Sequence, residues 1–485
     1  WSEHGCVVAS VPRVLAAAGL SLEIDPARFA ANFSFDHADQ ECGWYKQTWQ
    51  VPLGSVVMLN RRQRHCRVWY DPLALPIQQI GDAEALSETS RLLDEAARVV
   101  TAPWRKPAVM LSGGLDSPLV ASAILRARPD LAVLPAMTFR PEAGWDSPLQ
   151  PGWMGDESML VSAFAAANPR IALRSFDNGG RPTDYRMREL FQAMGTAPAG
   201  LPNFFPYHAL WEGAVAEGCD GIVCGDAGNL ALTQSAPWAP PEFLAGLRWG
   251  ELWKLLRAQD DDRSMLRRLL ADAVLPLAPK GLQYALRKMV HGETRRSSVR
   301  VSPLRAEWQS ANSDDVFDNP VGSRHGYLAS MLGAGDAGGG DIVQGFQQLY
   351  GIGWRDVTSY RPLFEFCLTL PTAQFVRGGV DRWLARRLGA ERLPPEVTLN
   401  RQYGFQHADW KLRLLRERDD LLAALDRWQG VPELAELLDL ERIAATLHDL
   451  ENIPTDASRL PARALLTRGV MAGQFIGFVT GSNAI

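Results

Sequence analysis

The stretch "VMLSGGLDSPLV", residues 109–120, decides the fold of this chain. An apolar run ends at Ser112, two glycines follow, and a helical pattern begins after Asp116. A turn of this kind, between a parallel strand and a helix, points backbone N–H groups and the positive end of the helix dipole at one place. Gly113 and Gly114 let the backbone approach a phosphate closely. The stretch therefore predicts an anion site at the end of a strand.

The polar side chains of the same turn add donors and a metal ligand. Ser112 and Ser117 can donate hydroxyl hydrogen bonds, and Asp116 can hold Mg²⁺, a hard cation that prefers oxygen ligands. The chain lacks GxxxxGK[ST] here, so this is not the usual γ-phosphate loop. A glycine-rich turn with a Ser/Asp helix cap is the alternative interpretation. The coincidence of all six residues between strand and helix argues against it.

The composition limits the class of protein. The chain has 485 residues, 46% of them apolar and 22% charged, and its net charge is −5. Its length favours two or three domains, and its charge gives no reason to expect nucleic acid or an anionic membrane as a partner. Six scattered cysteines without a CxxC pair and eight histidines without HExxH disfavour disulfides and zinc, so a reducing cytoplasm fits better. No charge-free apolar run of about 18 residues predicts a membrane span.

Strand-like and helical segments alternate between residues 107 and 225. This alternation predicts an α/β fold, a parallel sheet with helices on both faces. The runs "GSVVMLN" and "CRVWY" near the start predict a small β-containing region, and the chain beyond about residue 240 is expected to be mostly helical. The glycine-rich run at residues 332–341 is expected to be a mobile loop, either a surface linker or an active-site lid.

The motif SGGLDS resembles the pyrophosphate loop of the ATP pyrophosphatase group, which includes asparagine synthetases and β-lactam synthetases. The resemblance implies a sheet of the asparagine synthetase C-terminal type, with ATP and Mg²⁺ as cofactors. In that family the loop grips the β,γ-phosphates while a carboxylate attacks the α-phosphorus. An amine then displaces AMP from the acyl-adenylate to give an amide.

A second segment, "IVCGDAGNLALT" at residues 222–233, follows a predicted strand where asparagine synthetases carry a Gly-Glu-Gly-Ser-Asp-type turn. By this resemblance Asp226 takes the position of their Glu, or of the Tyr in β-lactam synthetase, which serves amidation. Asn229 falls where the family has a second Mg²⁺-binding Asp. Because an amide is the weaker Mg²⁺ ligand, Asp116 and the phosphates would hold most of the metal. The alternative is a turn pair that caps the next helix.

The C-terminal half resembles the lasso peptide cyclases of proteobacteria. The resemblance lies in "GIGWRDVTSYRPLFEFCLTLP" (351–371), "DRWLARR" (381–387), "LPPEVTLNRQYGFQHADW" (393–410) and "MAGQFIGFVTGSN" (471–483). Residues on recurrent positions of these segments are Arg355, Arg382, Arg386, Arg387, Arg401 and Asp409.

Two residues depart from the family pattern. Tyr360 replaces an Asp of the lasso cyclases, and Tyr403 replaces the Lys with which asparagine and β-lactam synthetases steady the transition-state phosphate. Because charge stabilisation is usually the largest catalytic contribution, another cation is needed. Arg401 and Lys411 are the nearby candidates, although either is equally compatible with a surface charge.

The N-terminal part resembles the late part of a glutamine-hydrolysing domain. We expect an incomplete glutaminase-like α+β domain at residues 1–85 and the ATP-dependent synthetase (cyclase) domain at residues 86–485. Cys6 lies in a predicted strand, where a buried structural thiol is expected, so glutaminase activity is not expected.

The resemblance implies that this enzyme closes a macrolactam ring in a leader-free core peptide. A leader-binding protein and a leader protease would act in the same pathway. A small-molecule amide synthetase and a non-catalytic nucleotide-binding scaffold are the alternatives. The predicted catalytic residues are Asp226, Arg401 and Lys411, and the predicted metal ligands are Asp116 and Asn229. The predicted ATP-binding residues are Ser112, Gly113, Gly114, Leu115, Asp116, Ser117, Thr138 and Gly225.

Overall fold

A computed structural model describes residues 6–33, 41, 43–60, 63–146, 149, 152–259, 262–279, 281–283, 285–286, 301–309, 321–333, 337–454 and 460–481. The strands are β1 (Ser55–Leu59), β2 (Arg64–Val68), β3 (Pro107–Met110), β4 (Leu134–Phe139), β5 (Trp153–Met154), β6 (Ile171–Phe176), β7 (Gly221–Cys224), β8 (Gly353–Asp356) and β9 (Tyr403–Gly404).

The first α-helices are α1 (Pro12–Ala17), α2 (Pro26–Phe33), α3 (Asp82–Thr101), α4 (Asp116–Ala127), α5 (Ser158–Ala167), α6 (Met187–Met194), α7 (Tyr207–Ala216), α8 (Ala239–Ala245), α9 (Trp249–Arg257) and α10 (Met265–Arg268). The later α-helices are α11 (Arg324–Gly333), α12 (Ala337–Tyr350), α13 (Arg361–Thr369), α14 (Trp383–Arg392), α15 (Pro395–Thr398), α16 (Trp410–Gln429), α17 (Pro432–Leu437), α18 (Leu440–His448) and α19 (Leu460–Thr480).

The central sheet has five parallel strands in the spatial order β6-β4-β3-β7-β8. Numbered by their sequence in the chain, this order is 3-2-1-4-5, so the direction of winding reverses between β3 and β7. In open α/β sheets the crevice outside the carboxyl ends of the strands at such a reversal is where ligands bind. By this rule, a ligand is expected to bind in the crevice between the ends of β3 and β7.

Alternate residues of the strands enter two hydrophobic cores, one on each face of the sheet. Ala108 and Met110 of β3 belong to the first core with α6, α7, α12 and the C-terminal helices α16–α19, while Val109 belongs to the second with α3, α4, α5 and α8. Strands buried on both faces carry near-continuous apolar runs, as "PAVML" does. The predicted parallel sheet with helices on both faces is confirmed.

The structure differs from the sequence-based expectations at three places. The fifth strand, β8, was not predicted, because "GWRD" is short and charged and lies in a region expected to be helical. The expected loop at residues 332–341 is wrong at both ends, since α11 continues to Gly333 and α12 begins at Ala337. The expectation of a buried thiol in a strand at Cys6 is also wrong. Cys6 is exposed and lies outside any strand, and its neighbours Val7 and Val8 are exposed as well.

The hairpin of β1 and β2 accounts for the β-containing region expected near the start of the chain. Among the described helices, none is long and apolar enough to cross a bilayer.

Candidate active site

The candidate site lies at the carboxyl ends of three neighbouring strands. The phosphate loop, residues 111–117, follows β3, the turn at residues 225–230 follows β7, and Asp356 ends β8. These segments are more than 100 residues apart in the chain, and the parallel sheet brings them to one edge.

The phosphate loop is closed by its own serines. The Ser112 N–H donates to Ser117 Oγ at 2.8 Å, and the two hydroxyl oxygens are 3.0 Å apart. The Gly113 N–H donates to Glu157 Oε2 at 3.1 Å, so a carboxylate already stands at a loop N–H. Burial raises the pKa of Glu157, and this hydrogen bond opposes the rise. One loop N–H, that of Gly113, thus already meets an anionic oxygen. Phosphate binding by the loop stays a prediction.

Asp116 begins α4 and is held against the neighbouring turn. Thr233 Oγ1 donates to Asp116 Oδ1 at 2.6 Å, and the Gly228 backbone packs directly on the carboxylate. Burial raises the pKa of Asp116 to about 6, while the Thr233 bond and the positive charge of Arg382 oppose the rise. Thr233 is the one side-chain donor to Asp116 among the described residues. The other carboxylate oxygen therefore has no side-chain donor there and can take a cation.

Asp226 stands at the start of the turn that follows β7. Its side chain is open to solvent, yet protein surrounds it on most sides, which is the situation of a group lining a cleft. Burial, followed by the negative charge of Asp356, raises the pKa of Asp226 to about 6; Asp116 adds to the rise, and a hydrogen bond with the Cys224 thiol opposes it. A carboxylate that titrates near neutrality suits proton transfer.

The fit of Mg²⁺ follows from these carboxylates. Within the described part of the chain, no group of three or more His, Cys, Asp or Glu side chains is already arranged around a metal position. The charges of Asp116, Asp226 and Asp356 nevertheless act on one another across the crevice, and a divalent cation would relieve that repulsion. Asp116 with phosphate oxygens fits Mg²⁺, which commonly takes one or two carboxylates. Asn229 is exposed in the same turn, and its metal role stays a prediction.

Arg382 is a cation for which the sequence predicts no role beyond a recurrent position in the C-terminal segments. Its charge acts on Asp116, its Cζ lies 5.5 Å from the centroid of the Tyr403 ring, and its Nε is buried without a hydrogen-bond partner among the described residues. Its backbone is left-handed, with φ 52° at the start of α14. Non-glycine residues in this region cost about 1–3 kcal/mol and cluster at functional sites. A guanidinium whose Nε has no partner among the described residues, and whose charge acts on Asp116, is suited to bind an anion.

The two cations favoured by the sequence are placed differently. Arg401 is exposed, and its charge acts on Arg386, which donates to the carbonyl oxygens of Thr398 and Asn400. The Lys411 Nζ donates to the carbonyl oxygens of two residues in the C-terminal part, Glu451 and Ile453, at 2.7 Å each. Within the described residues, no hydrogen bond or ion pair joins Arg401 or Lys411 to the phosphate loop. Their catalytic roles stay predictions. Arg382 is better placed than either to interact with a bound phosphate, because its charge acts on Asp116 of the phosphate loop.

The other predicted nucleotide-binding residues support the loop. Thr138 is buried in β4, and the carbonyl of the preceding Met137 accepts the N–H of Leu111 at 2.8 Å. Leu115 is buried in the second core, and Gly225 packs against Val120. Their ATP contacts stay predictions.

One further recurrent residue, Asp409, braces the site. Asp409 Oδ2 accepts the N–H of Glu142, in the loop after β4, at 3.1 Å, and the Glu142 carboxylate pairs with Arg416. This ties α16 to the carboxyl edge of the sheet. Seven Lys and Arg residues lie from Lys280 to Arg305. This basic run predicts either a solvated helix and turn or a wall for the pyrophosphate, and it lies mostly outside the described residues.

Gly228→Ala is expected to lower pyrophosphate release by roughly 10- to 10²-fold, since misplacing a reacting group by about 1 Å can cost that much. A Cβ at this position would overlap Asp116 Oδ1 and lie 2.7 Å from its Cγ, forcing the carboxylate off Thr233. Gly250→Ala, in helix α9 with open space around its Cα, is the matched control and should be neutral. Full activity of Gly228→Ala would contradict the placement of Asp116.

Comparison with known families adds one finding. The model of the asparagine synthase family matches residues 360–470, which include Arg382 and Tyr403. The search of curated proteins finds no match. Together with the phosphate loop and the five-stranded parallel sheet, this match supports an asparagine synthetase-like family and, in general, ATP-dependent formation of an amide bond.

Proposed function

We propose that the protein is a lasso peptide cyclase, an ATP-dependent enzyme that closes a macrolactam ring in a leader-free core peptide. The main support is that Asp116 of the phosphate loop interacts electrostatically with both Asp226 and Arg382, so an anion site, a candidate base and a cation lie near one another. This arrangement suits adenylation followed by attack of an amine. The choice of a peptide rests on the C-terminal segments that resemble lasso cyclases.

In the first step, an Asp or Glu side chain of the peptide would attack the α-phosphorus of ATP. The loop N–H groups of residues 112–117 would hold the β,γ-phosphates, and Arg382 would balance the charge of the leaving pyrophosphate. Asp116 would hold Mg²⁺, which supplies charge neutralisation at the phosphates. Glu157 would release the Gly113 N–H to a phosphate oxygen.

In the second step, the α-amine of the same peptide would attack the acyl-adenylate and AMP would leave. Asp226 would accept the proton that the amine loses. Its pKa of about 6 leaves the carboxylate ionised at neutral pH, and a pKa this close to the operating pH suits a general base. With both reacting groups on one bound peptide, effective molarities of roughly 10⁵ M or more are attainable. The protein would then mainly hold the peptide pre-folded and keep water from the adenylate.

A small-molecule amide synthetase of the asparagine or β-lactam type is the second candidate. The match of residues 360–470 to asparagine synthase favours it. A free amino acid substrate would need no groove for a peptide.

The deciding experiment is pyrophosphate release from ATP and Mg²⁺, with leader-free core peptide in one series and free aspartate in the other. We expect release only with the peptide, together with a product lighter by one water. Release with aspartate alone would establish the small-molecule synthetase instead. ATP binding without release in either series would indicate a nucleotide-binding scaffold.

A further inference from the structure

A small cavity lies between α16 and α19, and none of its lining residues belongs to the candidate active site. Its volume is about 20 Å³, which leaves room for about one particle of the size of a water molecule. The charged side chains among its described lining residues are two arginines, Arg413 of α16 and Arg463 of α19. Buried charges are normally paired with charges of the opposite sign. Two like charges on one small cavity indicate a site for an anion.

The guanidinium of Arg413 is buried, at 7% exposure, and has few acceptors. Among the described residues its one side-chain hydrogen bond runs from Nη2 to His407 Nδ1 at 3.3 Å, and its Nε has no hydrogen-bond partner. Asp409 Oδ1 lies 3.3 Å from this Nε, within ion-pair distance, yet the two atoms form no hydrogen bond. Because a guanidinium carries five N–H donors, most donors of Arg413 remain for another acceptor.

His407, which also lines the cavity, adds no charge to it. The Asn203 carbonyl oxygen lies 2.8 Å from His407 Nε2, so the proton sits on Nε2 and Nδ1 is the acceptor for Arg413. Burial, followed by the positive charges of Arg413 and Arg463, lowers the pKa of His407 well below its usual value. Its backbone is left-handed, with φ 61°, a conformation that non-glycine residues adopt at a cost and mostly at functional sites.

The guanidinium of Arg463 is only partly satisfied by the protein. Its Nη1 donates to the Gln406 carbonyl oxygen at 2.7 Å, and its Cζ lies 5.6 Å from the centroid of the Phe405 ring. Within the described part of the chain, Arg463 forms no ion pair, and its other donors have no recorded acceptor.

The charges around Arg463 are positive. Burial, followed by the charge of Arg413, lowers the pKa of Arg463 to about 10, and burial followed by the charge of Arg463 lowers that of Arg468 to about 10. All three arginines therefore stay charged at neutral pH. The carboxylates on this side of the fold, Asp409 and Glu417, are held in their ionised form by Arg413. The charge of Arg463 is thus not balanced among the described residues.

We infer that the cavity is a binding site for a small monovalent anion, a halide ion such as chloride, held between the guanidinium groups of Arg413 and Arg463. A water molecule could accept their N–H groups but could not balance the charge of Arg463. Anions of several atoms, such as phosphate or a carboxylate, need more room than about 20 Å³. The ion would join α16 to α19, and its binding does not depend on the reaction that the protein catalyses.

Thermal unfolding in sodium chloride and in sodium gluconate, at equal ionic strength, tests the site, because gluconate is too large for the cavity. We expect wild type to gain about 1–3 °C for each tenfold increase in chloride above the dissociation constant, since an ion that binds only the folded state stabilises it. Arg463→Gln should unfold at the same temperature in both salts. Arg427→Gln, which changes an exposed arginine of α16, is the matched control and should keep the wild-type difference.

A crystal of wild type soaked in sodium bromide locates the ion directly. We expect an anomalous peak in the cavity, in contact with the guanidinium groups of both arginines. Equal unfolding temperatures in chloride and gluconate, or a bromide map without a peak in the cavity, would overturn the inference and leave a water molecule there. A chloride effect that persists in Arg463→Gln would place the ion elsewhere and overturn it as well. If Arg463→Gln does not fold, the bromide map of wild type decides alone.

Discussion

Asp116→Ala is expected to lower peptide-dependent pyrophosphate release by at least roughly 10³-fold. Asp116 lies in the phosphate loop, and Thr233 fixes its carboxylate by a hydrogen bond to Oδ1. A carboxylate held in this way suits Mg²⁺ bound to phosphates. Changes to residues that merely support metal ligands cost about 10–100-fold, so losing the ligand itself should cost more. Release measured over a range of Mg²⁺ concentrations checks this, because excess metal should rescue the variant poorly.

The stability of Asp116→Ala provides the control for folding. Burial raises the pKa of Asp116 to about 6, above its ordinary value of 3.8 in an unfolded chain. The ionised carboxylate therefore opposes folding at neutral pH, and this cost is relieved as the pH falls through about 6. We expect the ligand-free variant to unfold at the wild-type temperature or above it at pH 8. It should also lack the stabilisation that wild type gains from this group as the pH falls from about 6 to about 4.

Asp130→Ala is the matched surface control. Asp130 follows the far end of α4, is largely exposed and pairs with Arg128, so its loss should leave pyrophosphate release unchanged. A stable Asp116→Ala variant with wild-type release would show that the phosphate loop has been misassigned.

Local sequence patterns predict the sheet and the loop because both depend on neighbours in the chain. Continuous apolar runs predict strands buried on both faces, and the glycines and serines of residues 112–117 determine the geometry of the turn between β3 and α4. The Asp226 turn is predictable for the same reason, since it directly follows the apolar strand β7.

The rest of the site depends on contacts across the fold. Asp356 lies 130 residues after Asp226 and meets its turn only because β8 pairs with β7, and "GWRD" carries no strong strand signal. Thr233 likewise reaches Asp116 only through the folded turn. The closeness of Lys411 to Tyr403 in the chain predicts a catalytic cation. In the fold, however, its Nζ donates to carbonyl oxygens of the C-terminal part.

Arg382→Ala is expected to lower pyrophosphate release by roughly 10²–10³-fold, the range found when one donor to a developing anion is removed. The variant loses the cation whose charge acts on Asp116 and whose Cζ lies over the Tyr403 ring. Pyrophosphate–ATP exchange measures the step concerned. Arg382→Lys should recover part of the rate, because it restores the charge without the planar fork. Arg401→Ala changes an exposed arginine of the same region and should cost much less.

The left-handed backbone of Arg382 separates its charge from its contribution to folding. Glycine adopts φ 52° without the cost that alanine bears, so Arg382→Gly should be at least as stable as Arg382→Ala. Both variants should nevertheless be equally inactive, because both lack the guanidinium. A glycine variant with restored exchange would show that Arg382 acts only through the backbone. A large loss in Arg401→Ala would instead return the cation role to Arg401, as the sequence predicts. The strained backbone of Arg382 coincides with an Nε that is unpaired among the described residues and with a charge that acts on Asp116, a combination expected of a functional residue.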